Sequence, residues 1–316
     1  MRAVGLGLVA SFFFASTFVL NRVMELAGGH WAWSAVLRYL FMLPLLLLIV
    51  GLRGNLGPLW RELRRQPATW LLWSTVGFGL FYAPLCFAAA FGPAWLVAST
   101  WQLTIVAGSL LVPWLRPPGG AAEARHAIPV RAVLISLVIL AGVALVQLQH
   151  ASQVPARAVA LGVLPVAVAA VAYPLGNRKM MLICGRRLDT FQRVLGMTIA
   201  SLPFWCGLAI YGLVAAGPPA RAQVGQSLSV ALFSGVIATL LFFKATEAAR
   251  GDAGQLAAVE ATQAGEVVFA LLGEVVVLHT PLPSTWGLAG IGVIGAGMVA
   301  HSLESRRQPG DPQPQD

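Results

Sequence analysis

Charge is scarce in this 316-residue chain: 10% of its residues are Asp, Glu, Lys or Arg, against roughly a quarter in a soluble globular protein. So few charges cannot clothe a water-facing surface of this size, which excludes an ordinary soluble fold. Cysteine is scarcer still. Cys86, Cys184 and Cys206 lie in or beside apolar runs and form no CxxC pair, so neither a disulfide framework nor a thiolate metal site is supported. The histidines His30, His126, His150, His279 and His301 stand singly, without metal-ligand spacing. We expect no metal and no cofactor. No phosphate-cradling GxxxxGK[ST] motif occurs, which argues against ATP hydrolysis in this chain. No cluster of His, Asp, Cys or Ser gathers at one interface, as an intramembrane enzyme requires.

What the chain has instead is apolar length. Hydrophobic residues make up 58% of it, and runs of about 20 residues, each able to cross a hydrocarbon core about 30 Å thick, recur from end to end. Ten such spans are predicted, at 3–25, 31–51, 69–91, 94–115, 131–149, 158–179, 190–215, 227–247, 254–278 and 284–302. The first lacks a small-residue cleavage site and is read as a span, not a signal peptide. The expected fold is an all-α integral membrane protein. The tail from 304 to 316, rich in Pro, Gln and charge, cannot bury enough apolar surface to fold and is expected to be disordered.

The net charge of +9 raises the question of nucleic acid, because basic patches are the footprint of phosphate binding. The placement of the charges argues against it. Arg53, Arg61, Arg64 and Arg65 follow span 2; Arg116, Arg125 and Arg131 follow span 4; Arg178, Lys179, Arg186 and Arg187 follow span 6; Arg306 and Arg307 follow span 10. The intervening connections are nearly free of Lys and Arg, so the even-numbered ones are cytoplasmic. Both termini, and the tail with them, are then expected in the cytoplasm, in a multi-pass protein of a bacterial inner membrane. Anionic lipid head groups are natural partners of these loops.

Internal similarity decides the architecture. Asn21-Arg22 closes span 1 and Asn177-Arg178 closes span 6. Arg38 precedes Met42 by four residues in span 2, as Arg193 precedes Met197 in span 7. The pattern AAxGxA occurs at 89–94 and 248–253, and VIxAG at 138–142 and 293–297. The four matches are collinear. They divide the chain into a first five-helix repeat, 1–152, and a second, 153–303. An odd number of spans per half inverts the second half in the membrane. Inverted halves can exchange conformations around a midplane cavity, which is the basis of alternating access.

Ionisable residues inside spans are costly and usually face a bundle interior or a cavity. Glu260, Gln263 and Glu266 in span 9, at a spacing of three, are expected to border that cavity. A carboxyl group out of bulk water can trade its proton at physiological pH, and Glu266, at mid-span, suits this best. An internal ion pair is the competing role for either glutamate. Span 4 offers Thr100, Trp101, Gln102 and Thr104 at the corresponding place, with Trp101 able to wall the cavity, hold a cation on its π face or simply pack. Arg38 and Arg193 would bind an anionic solute, or serve structural pairs. Asn21, Tyr173 and Asn177 line spans 1 and 6. Gly142, Gly290 and Gly297 allow close helix packing within the chain or between copies. Glu274 is expected near the outer end of span 9, where it stays wet.

With these features the chain resembles the EamA-like ten-helix branch of the drug/metabolite transporter superfamily over residues 3–302. Within that branch the stretch 243–274, FKATEAARGDAGQLAAVEATQAGEVVFALLGE, is similar to the multidrug-resistance efflux family, including the Gly273-Glu274 pair; the first half has Val112-Pro113 in its place. The resemblance implies a secondary transporter, exporting lipophilic or cationic compounds or small metabolites, with protons as the coupling ion. The alternatives are an exporter or exchanger of an anionic or zwitterionic metabolite and, from another class, a non-transport accessory protein of the membrane. One chain already holds both halves of a cavity, so a monomer suffices and a homodimer stays open.

Overall fold

The computed structural model describes residues 2–92, 94–111, 130–151, 156–279 and 284–307. Apolar runs leave the backbone no partner but itself, and in a bilayer only a helix or a closed barrel then satisfies every N–H and C=O. Every regular element among the described residues is a helix, and none is a strand.

Helix α1 is Arg2–Leu26, α2 Trp31–Leu52 and α3 Leu56–Arg65. Next, α4 (Pro67–Ser74) and α5 (Leu80–Ala89) are joined by a π-helical turn, Thr75–Gly79. Helices α6 (Ala94–Trp101) and α7 (Leu103–Leu111) flank a break at Gln102, and α8 spans Val130–Ala151. Helix α9, Ala156–Cys184, is followed by α10 (Thr190–Ala200) and α11 (Leu202–Ala216). A second π-helical segment, Ala231–Ala238, joins α12 (Arg221–Val230) to α13 (Thr239–Ala248). A 3₁₀ turn, Thr262–Ala264, separates α14 (Ala253–Ala261) from α15 (Gly265–Val277), and α16 is Thr285–Arg307.

Local signals set several starts. The His30 side chain accepts from the Ala32 N–H at the head of α2. Asp189 and Gln192 form a reciprocal capping box on α10, and Asp252 accepts from the Gln255 N–H on α14.

Six helices among the described residues are long and apolar enough to cross a membrane, and a seventh is added if α10 and α11, bent by 45° at Ser201, form one span. Val133–Leu145 and Thr285–Ala300 are shorter apolar stretches. The expected spans at 94–115, 131–149 and 284–302 are not among these six or seven, although α8 and α16 cover the last two as helices. The expected junction at 152–153, the basic residues Arg116 and Arg125, His126, the Val112-Pro113 pair and the tail beyond 307 lie outside the described residues.

The packing has a regular scheme. Helix α1 lies against α13, the adjoining π segment, and α15; α9 lies against α5, the adjoining π turn, and α6 and α7. Each thus packs on one π-containing run and one broken run from the opposite part of the chain. Helix α2 meets α10 and α11, and α8 lies along α16. A Cβ on Gly176 would collide with the backbone of Gly77, so glycine at both places lets α9 and the π turn touch main chain to main chain. Gly142 faces the Gly290 carbonyl and Gly297 faces Ile139, which makes these glycines contacts within one chain.

Arg178 differs from its sequence reading, which put it at the inner end of span 6 and counted it with the cations that follow. Helix α9 instead continues to Cys184, and Arg178 is buried within it. Its neutralising partner, described below, is what permits that.

Candidate functional site

Where α1 and α9 face one another, a narrow cavity of at most ≈ 260 Å³ is lined by Phe14, Thr17 and Phe18 of α1, Arg38 of α2, Phe81 and Leu85 of α5, Trp101 of α6 and Tyr173 of α9, with Ser234, Gln263 and Glu266. The helix irregularities converge on it. Ser234 comes from the second π segment, Gln263 from the 3₁₀ turn, and Glu266 from the first turn of α15, where the helix dipole favours negative charge. Such departures from α geometry re-aim side chains and recur at functional sites.

The walls are aromatic. Phe81 lies 4.5 Å from Tyr173 and 5.0 Å from Trp101, centroid to centroid. The Trp101 indole N–H donates to Gln263 Oε1 at 3.2 Å, and the Thr17 and Ser234 hydroxyls are hydrogen-bonded across the floor.

Into this apolar setting project two ionisable side chains of opposite kind, each 1% exposed: Arg38 and Glu266. Arg38 Nε and Nη1, Glu266 Oε1 and the Tyr173 hydroxyl have no hydrogen-bond partner, and among the described ion pairs none joins Arg38 to Glu266. The Arg38 guanidinium lies over the Tyr82 ring at 4.0 Å, a contact worth about 0.5–2 kcal/mol. Taking one ion out of water costs several kcal/mol, so the aromatic contact does not offset it. Two incompletely partnered ionisable groups facing one cavity make it the candidate binding site.

The other sequence-predicted residues are placed differently. Glu260 is turned away from the cavity to Arg178, whose Nε and Nη2 donate to Glu260 Oε1 at 3.0 and 2.6 Å while Nη1 donates to the Gly108 carbonyl. At the 100° advance per residue of an α-helix, neighbours spaced by three stay about 60° apart, but the six residues from Glu260 to Glu266 turn the side chain by about 120°, off the cavity face. The 3₁₀ turn intervenes as well, and Gln263 and Glu266 share the cavity without Glu260.

Arg193 is also neutralised, by Glu247, and stacks on Phe243 at 5.1 Å. The Asn21 amide donates to the Tyr82 hydroxyl and to Cys86 Sγ. Gln102 donates to the Ala98 carbonyl. The Thr104 hydroxyl and the Asn177 carbonyl oxygen are buried without partners, and neither residue lines the cavity.

Glu274, expected to be wet, is 3% exposed and accepts from the Ala94 N–H at 3.1 Å. It closes the otherwise open N-terminus of α6, and that fixed donor replaces the water its sequence position suggested. Sequence reasoning missed Phe14, Thr17, Phe18, Phe81, Leu85 and Ser234 as lining residues. Phenylalanines and small hydroxyls within apolar runs carry no signal of their own. It also missed Glu247, whose partner Arg193 should have prompted a search for a carboxylate.

Comparison with known proteins gives four findings. The family described as "Putative multidrug resistance efflux transporter" matches residues 1–307. The "Uncharacterized protein YjlA" of Bacillus subtilis (strain 168) is 55% identical over 310 residues, covering 97% of this chain and 96% of the relative. An "Uncharacterized 42.1 kDa protein in intracellular alkaline protease 3'region" of Shouchella clausii is 49% identical over 267 residues, 84% of this chain and 70% of that one. A solved structure described as "Crystal structure of protein" superposes with a TM-score of 0.68 at 18% identity, over 98% of this chain and 99% of that chain, a likeness of fold alone.

Proposed function

Since this chain belongs to the multidrug resistance efflux transporter family, and is thereby a multi-pass membrane protein of a transporter family, we propose that it is a secondary exporter trading protons for a small solute at Glu266. The observation that carries this reading is a fully buried carboxylate oxygen without a partner, facing a cavity built from both parts of the chain. Such a group has two ways to be neutral: take a proton or face a positively charged solute. Mutual exclusion of proton and solute at one carboxylate is the minimal machinery of antiport. The 3₁₀ turn at Thr262–Ala264 lies just before Glu266 and sets where its side chain points.

Ten spans in two inverted halves are the frame of this proposal. The π segments fall in the third and eighth of the expected spans, and the breaks at Gln102 and at Thr262–Ala264 fall in the fourth and ninth. That correspondence, with the reciprocal packing of α1 and α9, supports an exchange of conformations between halves. Both termini are then cytoplasmic and the membrane is a bacterial inner membrane. Hydrolysis or group transfer has no part in this reading.

The test is driven transport. Proteoliposomes with an acidic lumen in alkaline medium are expected to accumulate a transported solute as protons leave, and Glu266→Gln is expected to abolish the accumulation. Equal accumulation by the variant removes Glu266 from the coupling. Indifference of every solute in a panel of lipophilic cations and amino acids to the gradient removes proton coupling itself.

A further inference from the structure

Resting on the reading that the cavity binds solute, we infer that its preferred substrate is a zwitterion, carrying an ammonium group for Glu266, a carboxylate for Arg38 and an apolar or aromatic side chain between them. A cavity tuned to lipophilic cations alone has no use for a guanidinium: buried beside the cation site, it repels the ligand and weakens the attraction of the carboxylate. Yet Arg38 is as deeply buried as Glu266, and both line the same cavity.

Elsewhere in the bundle the same chain neutralises its buried arginines directly. Arg178 is held by Glu260 and Arg193 by Glu247. Arg38 is treated differently: among the described ion pairs none includes it, and both its Nε and its Nη1 lack acceptors, where Arg193 lacks one at Nε alone. A guanidinium with free donors is the side chain best shaped to grip a carboxylate in two parallel bonds.

The middle of the cavity fits what must lie between two such head groups. Phe81, Trp101 and Tyr173 supply apolar and aromatic faces, and Tyr173 adds a hydroxyl without a partner.

The experiment is binding by calorimetry to purified full-length protein in detergent. The probes are phenylalanine, tryptophan and leucine as zwitterions, phenylalanine methyl ester, N-acetylphenylalanine, and tetraphenylphosphonium. Wild type is expected to bind at least one zwitterion about tenfold or more tighter than either blocked analogue. Arg38→Gln is expected to lose that preference over the ester while still binding the ester. Glu266→Gln is expected to lose the preference over the N-acetyl compound while still binding that compound. Retained binding of the blocked analogue shows that each variant is folded. If Arg38→Gln cannot be purified, Arg38→Lys, which keeps the charge and loses the fork, is expected to weaken zwitterion binding in the same sense.

Ester or tetraphenylphosphonium binding as tight as that of every zwitterion overturns the inference and leaves proton exchange at Glu266 standing. Saturable binding of none of the zwitterions overturns it as well. Zwitterion preference in wild type that survives Glu266→Gln overturns both the inference and the exchange.

Discussion

Arg178 donates to Glu260 through Nε and Nη2 at 3.0 and 2.6 Å, while Glu266, six residues further along the same broken run, has no counterpart of that kind. The contrast separates a carboxylate that holds the bundle together from one left free to exchange partners. Four consequences can be measured on folded protein, and a fifth bears on the central claim.

Breaking the closed pair should cost stability. With both side chains 4% exposed, Arg178→Gln leaves a buried carboxylate without its cation, a change worth about 3–5 kcal/mol. Thermal unfolding in detergent is expected to show a large drop for this variant, partly restored when Glu260→Gln is added. A double variant no more stable than the single one would mean that the pair contributes nothing as a pair.

The open charges should behave in the opposite way. Arg38→Gln and Glu266→Gln each remove a buried ionisable group that lacks a full set of partners, and both are expected to unfold at the wild-type temperature or above it. Their loss should appear in solute binding. A marked loss of stability in either would identify it as part of the structural core.

Arg193 gives an internal control. Because Glu247 already neutralises it, Arg193→Gln is expected to lower the unfolding temperature and leave solute affinity within about twofold of wild type. Affinity that falls as far as in Arg38→Gln would place Arg193 in the binding site.

Two glycines report on packing. A methyl at Gly108 would meet the Glu260 carboxylate and one at Gly176 the Gly77 backbone. Overpacking of this kind costs about 1–3 kcal/mol. Gly176→Ala is expected to cost more than Gly108→Ala, because the side chain of Glu260 can shift and the main chain of the π turn cannot. Equal and negligible effects would show that the helices are looser than this packing implies.

Much of this was readable in the sequence, for identifiable reasons. Apolar runs announce helices because lipid offers the backbone no alternative partner, and a lone ionisable residue in such a run, Arg38 or Glu266, announces the site by its cost. The partner of each ion was not legible. Glu260 and Arg178 are 82 residues apart, and nothing in spacing tells which of two nearby glutamates faces a cation. Arg178 was misread as a loop charge because Lys179 follows it and two further arginines end the same stretch, a pattern that usually marks a span end. Glu274 was misread because depth along a helix does not show what caps the neighbouring one. The breaks at Gln102 and Thr262–Ala264 carry neither proline nor glycine at their centres and so gave no signal, although they set which side chains reach the cavity.

The most direct measurement is proton release on binding. Purified protein in weakly buffered detergent at near-neutral pH is titrated with a bound solute while pH is recorded, for wild type and Glu266→Gln. Exchange at this carboxylate is expected to release protons from wild type, up to one per molecule bound, and none from the variant. Saturable binding to wild type without proton release, undiminished in Glu266→Gln, would contradict the assignment of Glu266 as the exchange site.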